Sequence, residues 1–164
     1  MPAAAILLSI LALGPFVGCG LAALDPNPVT AGRMLTALIA WGALVLAFTG
    51  GLHWGLVLRE PEAAPPVAPA GKPEIGRNTR IGLAVLPLIL GWVALLLPLV
   101  AAAWLALLLL IVAYIVALLA EHHAARRLVL PSRYLWLRWG FTIVAVAMLT
   151  TVLTLRLLGQ TIVL

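Results

Sequence analysis

The sequence predicts an all-α protein, a polytopic membrane bundle of five transmembrane helices. Three observations predict it: the overall composition, the length of the apolar runs and the placement of the basic residues. Of the 164 residues, 65% are hydrophobic and only 9% are charged, and the mean hydropathy is +1.20. A soluble fold of this composition would expose apolar surface far beyond what soluble monomers tolerate. We therefore expect the lipid bilayer to be the solvent of most of the chain.

Five apolar runs have the length that an α-helix needs to cross a bilayer, which is roughly 20 residues. The runs are rich in Leu and Ala and show no period-two alternation, so they predict helices. The third and fourth runs abut, and a single helix covering both would be about 60 Å long, so we expect a turn near Pro98. The predicted spans are residues 3–24, 34–58, 81–100, 101–120 and 139–158.

The basic residues predict how this bundle is oriented. With five spans, the N-terminus and the loops after the second and fourth spans share one side, and eight of the ten Lys and Arg residues belong to that side. The positive-inside rule places this side in the cytoplasm and the C-terminus outside. We expect a multi-pass membrane protein whose basic side faces the cytoplasm, or the matrix if the protein is mitochondrial, and the net charge of +5 needs no nucleic acid partner to explain it. The eight residues are Arg59, Lys72, Arg77, Arg80, Arg126, Arg127, Arg133 and Arg138, and the other two are Arg33 and Arg156.

One segment interrupts the single membrane domain predicted for residues 1–164. Residues 60–74 read EPEAAPPVAPAGKPE, and such proline-rich sequence favours extended conformations and has too little apolar content to pack. We predict a flexible cytoplasmic linker there. The one cysteine, Cys19, excludes an internal disulfide and a metal site built from several thiolates.

The second half of the second span carries a cluster of small residues. Ala47, Gly51 and Gly55 recur every four residues, and together with Gly50 they predict a face on which another helix packs closely. The adjacent glycines also weaken the helix and permit a kink. The packed helix would belong to the same chain, to a membrane protein partner or to a second copy in a homo-oligomer.

His53 is the most distinctive polar residue of this span. It lies six residues before Arg59, about 9 Å below the cytoplasmic interface at 1.5 Å per residue, where a polar group needs an internal partner. Counting depth along the other helices places Ser9, Tyr114 and Thr142 at the same level. We expect these side chains, with the neighbouring Trp54, to form a polar layer.

Two interpretations of this layer stay open. In the structural one, His53 donates a hydrogen bond to a backbone carbonyl or to Tyr114 and joins two helices. In the functional one, the layer contacts a quinone, a lipid head group or haem, or His53 carries a proton. The sequence leaves the cofactor unknown, and we expect no metal because His53 has no second ligand on its helix and His122 and His123 are adjacent in sequence.

The segment between the fourth and fifth spans has the composition of chain lying at the membrane interface. Its arginines alternate with apolar residues, an arrangement typical of stems that extend toward lipid phosphates, and its tryptophans are typical of the interfacial belt. Glu121 is a candidate ion-pair partner for Arg126 or Arg138. The residues expected to contact lipid at the interface are Arg126, Arg127, Arg133, Arg138, Trp136 and Trp139.

No catalytic set can be assembled from these residues. A Ser/His/acid triad would need Ser9 or Ser132 to meet a histidine and one of only five acidic residues, and phosphate loops and dinucleotide motifs are missing. The sequence therefore favours a binding or assembly protein that recognises a lipophilic molecule or a membrane protein through the second span. The alternative is a small transporter or proton carrier that uses His53, although the five spans show no internal repeat typical of transporters.

A resemblance to a known family supports the membrane assignment. Residues 46–55, LAFTGGLHWG, are similar to the LSFxGGxHWG motif of a domain-of-unknown-function family of bacterial inner-membrane proteins related to mitochondrial transmembrane protein 69. Residues 14–16, 86–92 and 131–142 resemble further motifs of that family in the same order. The chain departs from the family in having Glu121 for an aspartate, Trp41 for a tyrosine and a longer linker. The resemblance implies a multi-pass protein of the bacterial inner (cytoplasmic) membrane and supplies no activity.

Overall fold

The computed structural model of the chain describes residues 3–59, 77–127 and 132–162, with side chains described for 7–51, 81–123 except 83, and 136–159. This part of the chain consists of five α-helices, which confirms the all-α fold with five helices. Residues 60–74, predicted as a linker, lie outside the described residues. The helices are α1 Ala3–Ala22, α2 Pro28–Arg59, α3 Arg77–Val100, α4 Ala103–Arg127 and α5 Ser132–Ile162.

Within the described residues, three helices contain stretches that are long and apolar enough to cross a membrane. They are Pro28–Gly51 in α2, Ala103–His123 in α4 and Trp136–Gly159 in α5, and two shorter apolar stretches are Leu7–Ala22 in α1 and Ala84–Val100 in α3. These helices indicate a membrane protein, because such lengths of apolar helix match the thickness of the hydrocarbon core.

The turn between α1 and α2 caps the N-terminus of α2. Asn27 Oδ1 accepts a hydrogen bond from the backbone N–H of Val29 at 3.0 Å, and Asp25 Oδ1 accepts one from the N–H of Asn27 at 2.7 Å. Pro28 follows as the first helical residue, where its missing N–H costs no intrahelical bond. Local chemistry therefore determines where α2 begins.

The turn between α3 and α4 lies after the position that we expected. Pro98 lies within α3, and the chain reverses at Ala101 and Ala102, between the end of α3 at Val100 and the start of α4. The N–H of Ala101 donates to the carbonyl of Leu97 at 2.8 Å and closes the last turn. A proline removes only one hydrogen bond of the helix, so α3 continues past it.

The five helices form a closed ring in which each helix packs against the next and α5 returns to α1, while α4 also touches α2 across the ring. Phe16 of α1 lies at the centre, edge-on to Tyr114 of α4 with centroids 6.0 Å apart and to Phe141 of α5 at 5.9 Å. All three rings are buried. Tyr114 Oη donates to the carbonyl of Gly42 in α2 at 2.8 Å, so the aromatic centre connects α1, α2, α4 and α5.

Two further hydrogen bonds fasten α1 to its neighbours at different depths. Trp41 Nε1 of α2 donates to the carbonyl of Ala12 at 2.9 Å. Arg156 of α5 donates through Nη2 to the carbonyl of Ala23, just after α1, at 3.2 Å. Each bond gives a polar side chain a hydrogen-bond partner inside the bundle, as polar side chains between membrane helices require.

The most extensive contact joins α2 to the antiparallel α3 along a seam of small residues. A Cβ added at Gly50 would collide with the backbone carbonyl of Ala84, and one added at Gly91 would lie 2.8 Å from the carbonyl oxygen of Ala43. In each helix the two seam positions are seven residues apart, about two helical turns. The seam therefore allows two backbones to touch, as small residues do in membrane bundles.

This seam differs from the packing face that the sequence predicted. Gly50 belongs to the seam, but Gly51 is exposed and a Cβ added there would meet nothing within 4 Å. Ala47 is half-buried, and the side of the helix at Gly55 lies outside the described part. The spacing of small residues identified the right helix, while the rotation of α2 is determined by its contact with α3.

Candidate functional site

A lateral cleft opens between α1, α2 and α5 at the end of the bundle where α1 begins, α2 ends and α5 begins. Its volume is about 490 Å³, and we call it the α1–α2–α5 cleft. It is lined by Ser9 from α1, by Val45, Phe48, Thr49 and Gly51 from α2, and by Leu137, Arg138 and Phe141 from α5.

The cleft opens sideways because its outer wall is built from residues that fill no space in the bundle. Gly51 has no side chain, and Phe48 beside it is 84% exposed. On the inner side, Phe141 is buried against Phe16 and closes the cleft toward the core. The opening therefore lies on the outer surface of the bundle and faces away from its axis.

The charged residue of the cleft is Arg138, which is paired. Its Nε donates to Glu121 Oε2 of α4 at 2.7 Å, and both side chains are buried. Removing two charges from water is costly, and a short charge-assisted hydrogen bond is the arrangement that offsets the cost. Arg138 Nη2 is also buried and has no hydrogen-bond partner among the described residues.

Thr142 lies one turn after Arg138 on α5, so the two side chains are on the same face of the helix. It is only 2% exposed, and its Oγ1 has no hydrogen-bond partner in the described part of the chain. A helical threonine ordinarily donates to a carbonyl one turn back. Four other threonines whose side chains are described do so, namely Thr36, Thr49, Thr151 and Thr154.

A second, much smaller cavity adjoins Glu121 between α3 and α4. Its volume is about 20 Å³, and Pro87, Leu90 and Ala113 are among its lining residues. This volume is close to the minimum that one water molecule occupies. Of these two cavities, the α1–α2–α5 cleft is the one with room for an organic ligand.

The residues expected to form a polar layer lie on four different helices. Ser9 borders the cleft, and Thr142 is buried beside Arg138 on α5. Tyr114 is buried elsewhere, bound to the Gly42 carbonyl. His53 and Trp54 belong to α2, and their side chains lie outside the described part.

Of the residues expected to contact lipid at the interface, the structure exposes some and buries others. Trp136 is 80% exposed, whereas Trp139 is half-buried and meets the ring of His122 edge-on with centroids 5.9 Å apart. Arg138 differs from the expectation of a lipid contact, because it is buried and paired with Glu121. The side chains of Arg126, Arg127 and Arg133 lie outside the described residues.

Sequence reasoning missed the α2 wall of the cleft. Thr49 and Phe48 precede the glycine pair and were not singled out, although Thr49 is buried in the structure. The pairing of Glu121 with Arg138, in contrast, is one of the two ion pairs that the sequence left open. No group of three His, Cys, Asp or Glu residues placed to hold a metal ion occurs within the described residues.

Comparison with known proteins gives one match. A family model described as "Protein of unknown function (DUF3429)" matches residues 1–154. No curated protein and no solved structure matches the chain. The resemblance to a domain-of-unknown-function family is thereby confirmed, while the relation to transmembrane protein 69 stays a prediction.

Proposed function

Because the chain belongs to the DUF3429 family, whose members are described as of unknown function, we propose its role from the geometry alone. It is a multi-pass inner-membrane protein that binds a lipophilic small molecule in the α1–α2–α5 cleft. The observation that carries the proposal is a cavity of about 490 Å³ that combines apolar walls with one buried arginine.

The size and lining of the cleft match those of a ligand site. Pockets for small molecules typically enclose about 300–1,000 Å³ and carry mostly apolar walls with a few placed polar groups. Val45, Phe48 and Leu137 supply apolar walls, while Thr49 and Arg138 supply the polar groups. The sideways opening suits a ligand that arrives from the hydrocarbon of the bilayer.

The membrane placement extends the three candidate spans to five. The shorter apolar helices α1 and α3 pack against the longer ones around the ring, so they would share the same lipid environment. The cleft lies at the end of the bundle where α2 ends and α5 begins. Eight of the ten basic residues lie in the sequence beside the helix ends on this side. The positive-inside rule therefore puts the cleft near the cytoplasmic surface and the C-terminus outside.

Two other expectations from the sequence remain as alternative proposals. A proton or ion carrier would use His53, which lies in α2 four residues after Thr49, and it predicts proton flux in sealed proteoliposomes that His53→Ala abolishes. A membrane protein partner or second copy seated in the cleft would instead copurify as a protein subunit.

The test is native mass spectrometry of the protein released gently from its own membrane, with identification of the small molecules that remain bound. Gly51→Leu places a side chain in the cleft. Gly18→Leu is the matched control, because a Cβ at Gly18 also meets nothing within 4 Å but Gly18 lies on α1 and is not a lining residue of the cleft. We expect a lipophile at a fixed stoichiometry in the wild type and in Gly18→Leu, and its loss in Gly51→Leu. Equal recovery in both variants would contradict the proposal.

A further inference from the structure

The polar end of the α1–α2–α5 cleft contains an arginine whose charge is already balanced, and this restricts the chemistry of the ligand. We propose that the ligand is electrically neutral and carries a carbonyl oxygen that accepts hydrogen bonds from Arg138 and Thr142. This inference rests on the proposed function, since it names the class of molecule that the cleft binds.

The first step concerns charge. A lone buried arginine would select a carboxylate or phosphate, but Glu121 Oε2 already lies 2.7 Å from Arg138 Nε. A second anion at Arg138 would approach the carboxylate of Glu121 in a region of low dielectric, where like charges repel strongly. The pair as a whole is neutral, so a neutral ligand is favoured over an anion.

The second step concerns hydrogen bonds. Arg138 Nη2 and Thr142 Oγ1 are both buried without a partner among the described residues, and a guanidinium nitrogen can only donate. Arg138 lines the cleft, whereas Thr142 is not one of its lining residues and lies four residues further along the same face of α5. A carbonyl oxygen has two lone pairs and accepts from both donors at once.

The third step concerns shape. Arg138 is at the buried side of the cleft, while Phe48 and Gly51 are exposed at its opening. A molecule with its carbonyl at Arg138 would therefore extend its apolar part past Phe48 toward the lipid. A quinone with an alkyl tail and an acyl ester of glycerol both have this chemistry, and binding measurements distinguish them.

The experiment measures the bound fraction of three probes by native mass spectrometry of the purified full chain in detergent. The probes are a decyl-substituted benzoquinone, monooleoylglycerol and oleate. We expect at least one neutral carbonyl probe to bind about tenfold more tightly than oleate, a ratio that corresponds to about 1.4 kcal/mol. The tighter of the two neutral probes identifies whether the carbonyl comes from a quinone or from a glycerol ester.

Two variants separate the charge from the hydrogen bonds. Glu121→Gln leaves Arg138 with an unbalanced charge, so it should raise the affinity for oleate about tenfold with a smaller change for the neutral probes. Thr142→Val keeps the shape of the side chain and removes the hydroxyl, so it should weaken the neutral probes several-fold and leave oleate unchanged. Because Thr142→Val leaves the ion pair intact, it remains informative if Glu121→Gln does not fold.

The outcomes distinguish this inference from the proposed function beneath it. Oleate binding as tightly as the neutral probes in the wild type would overturn the inference and leave a lipophile-binding cleft in place. Indifference of all three probes to Thr142→Val would also overturn it. Failure of every probe to bind, with no lipophile retained from the native membrane, would overturn both.

Discussion

Glu121 near the end of α4 and Arg138 in the second turn of α5 form an ion pair of 2.7 Å that is buried where the α1–α2–α5 cleft meets the bundle. The pair connects two helices whose intervening chain is short, and it determines which way Arg138 faces. The same contact therefore stabilises the α4–α5 packing and shapes the polar end of the cleft.

Breaking this pair from either side should destabilise the protein strongly. Glu121→Met or Arg138→Met leaves an uncompensated buried charge, and we expect a loss of about 3–5 kcal/mol in the free energy of unfolding. The double variant removes both charges and should recover most of that loss. Thermal or denaturant unfolding of all four proteins in the same detergent checks this, and additive losses in the double variant would contradict a direct pair.

The two adjacent glycines of α2 should respond oppositely to the same substitution. Gly50→Ala forces a methyl group against the Ala84 carbonyl and should cost about 1–3 kcal/mol through overpacking. Gly51→Ala meets nothing within 4 Å, so it should be neutral or stabilise the helix by up to about 1 kcal/mol. Melting temperatures of the two variants check the order, and a reversed order would mean that the seam lies on the other face of α2.

Tyr114 should contribute mainly through its ring. Tyr114→Phe loses the hydrogen bond to the Gly42 carbonyl and should cost about 0.6 kcal/mol, the average for side-chain bonds between membrane helices. Tyr114→Ala also leaves a cavity beside Phe16 and should cost about 3–5 kcal/mol. Equilibrium unfolding measures both values, and a Tyr114→Phe loss as large as that of Tyr114→Ala would contradict this division.

The C-terminus should lie outside the cytoplasm. Alkaline phosphatase fused after residue 164 should be active in intact cells, whereas a green fluorescent protein fused there should be dark when exported as an unfolded chain. Fusion within residues 60–74 should give the opposite pattern, which makes it the internal control. An active phosphatase in the linker fusion would reverse the proposed orientation.

The helices were predictable from the sequence because hydrocarbon thickness and apolar run length constrain each other. The turn after α3 was expected near Pro98 and lies instead at Ala101 and Ala102, since Pro98 is tolerated inside the helix. The faces of the helices were harder to predict. The i, i+4 spacing pointed to Ala47 and Gly51, but α2 rotates so that Gly50 meets Ala84, and that rotation depends on small residues in α3.

The candidate site was only partly predictable for the same reason. Ser9 and Thr142 were expected at one depth by counting along each helix, because depth follows from the helical rise; in the structure Ser9 lines the cleft and Thr142 lies one turn after Arg138. Arg138 looked like an interfacial anchor because sequence shows the alternation of arginines with apolar residues and does not show which helix lies opposite. The pairing with Glu121 depends on the packing of α4 against α5.

Mapping the position of a bound lipophile tests the central claim most directly. A photoreactive probe with a diazirine near a carbonyl group and a long alkyl tail would be incorporated into nanodiscs that contain the protein, activated by light and located by peptide mass spectrometry. We predict saturable labelling of the lining residues Val45, Leu137 and Phe141, suppressed by excess unlabelled probe and by Gly51→Leu. Labelling spread evenly over exposed residues elsewhere, such as Trp92 and Val100, and insensitive to competitor would contradict the existence of a ligand site in the α1–α2–α5 cleft.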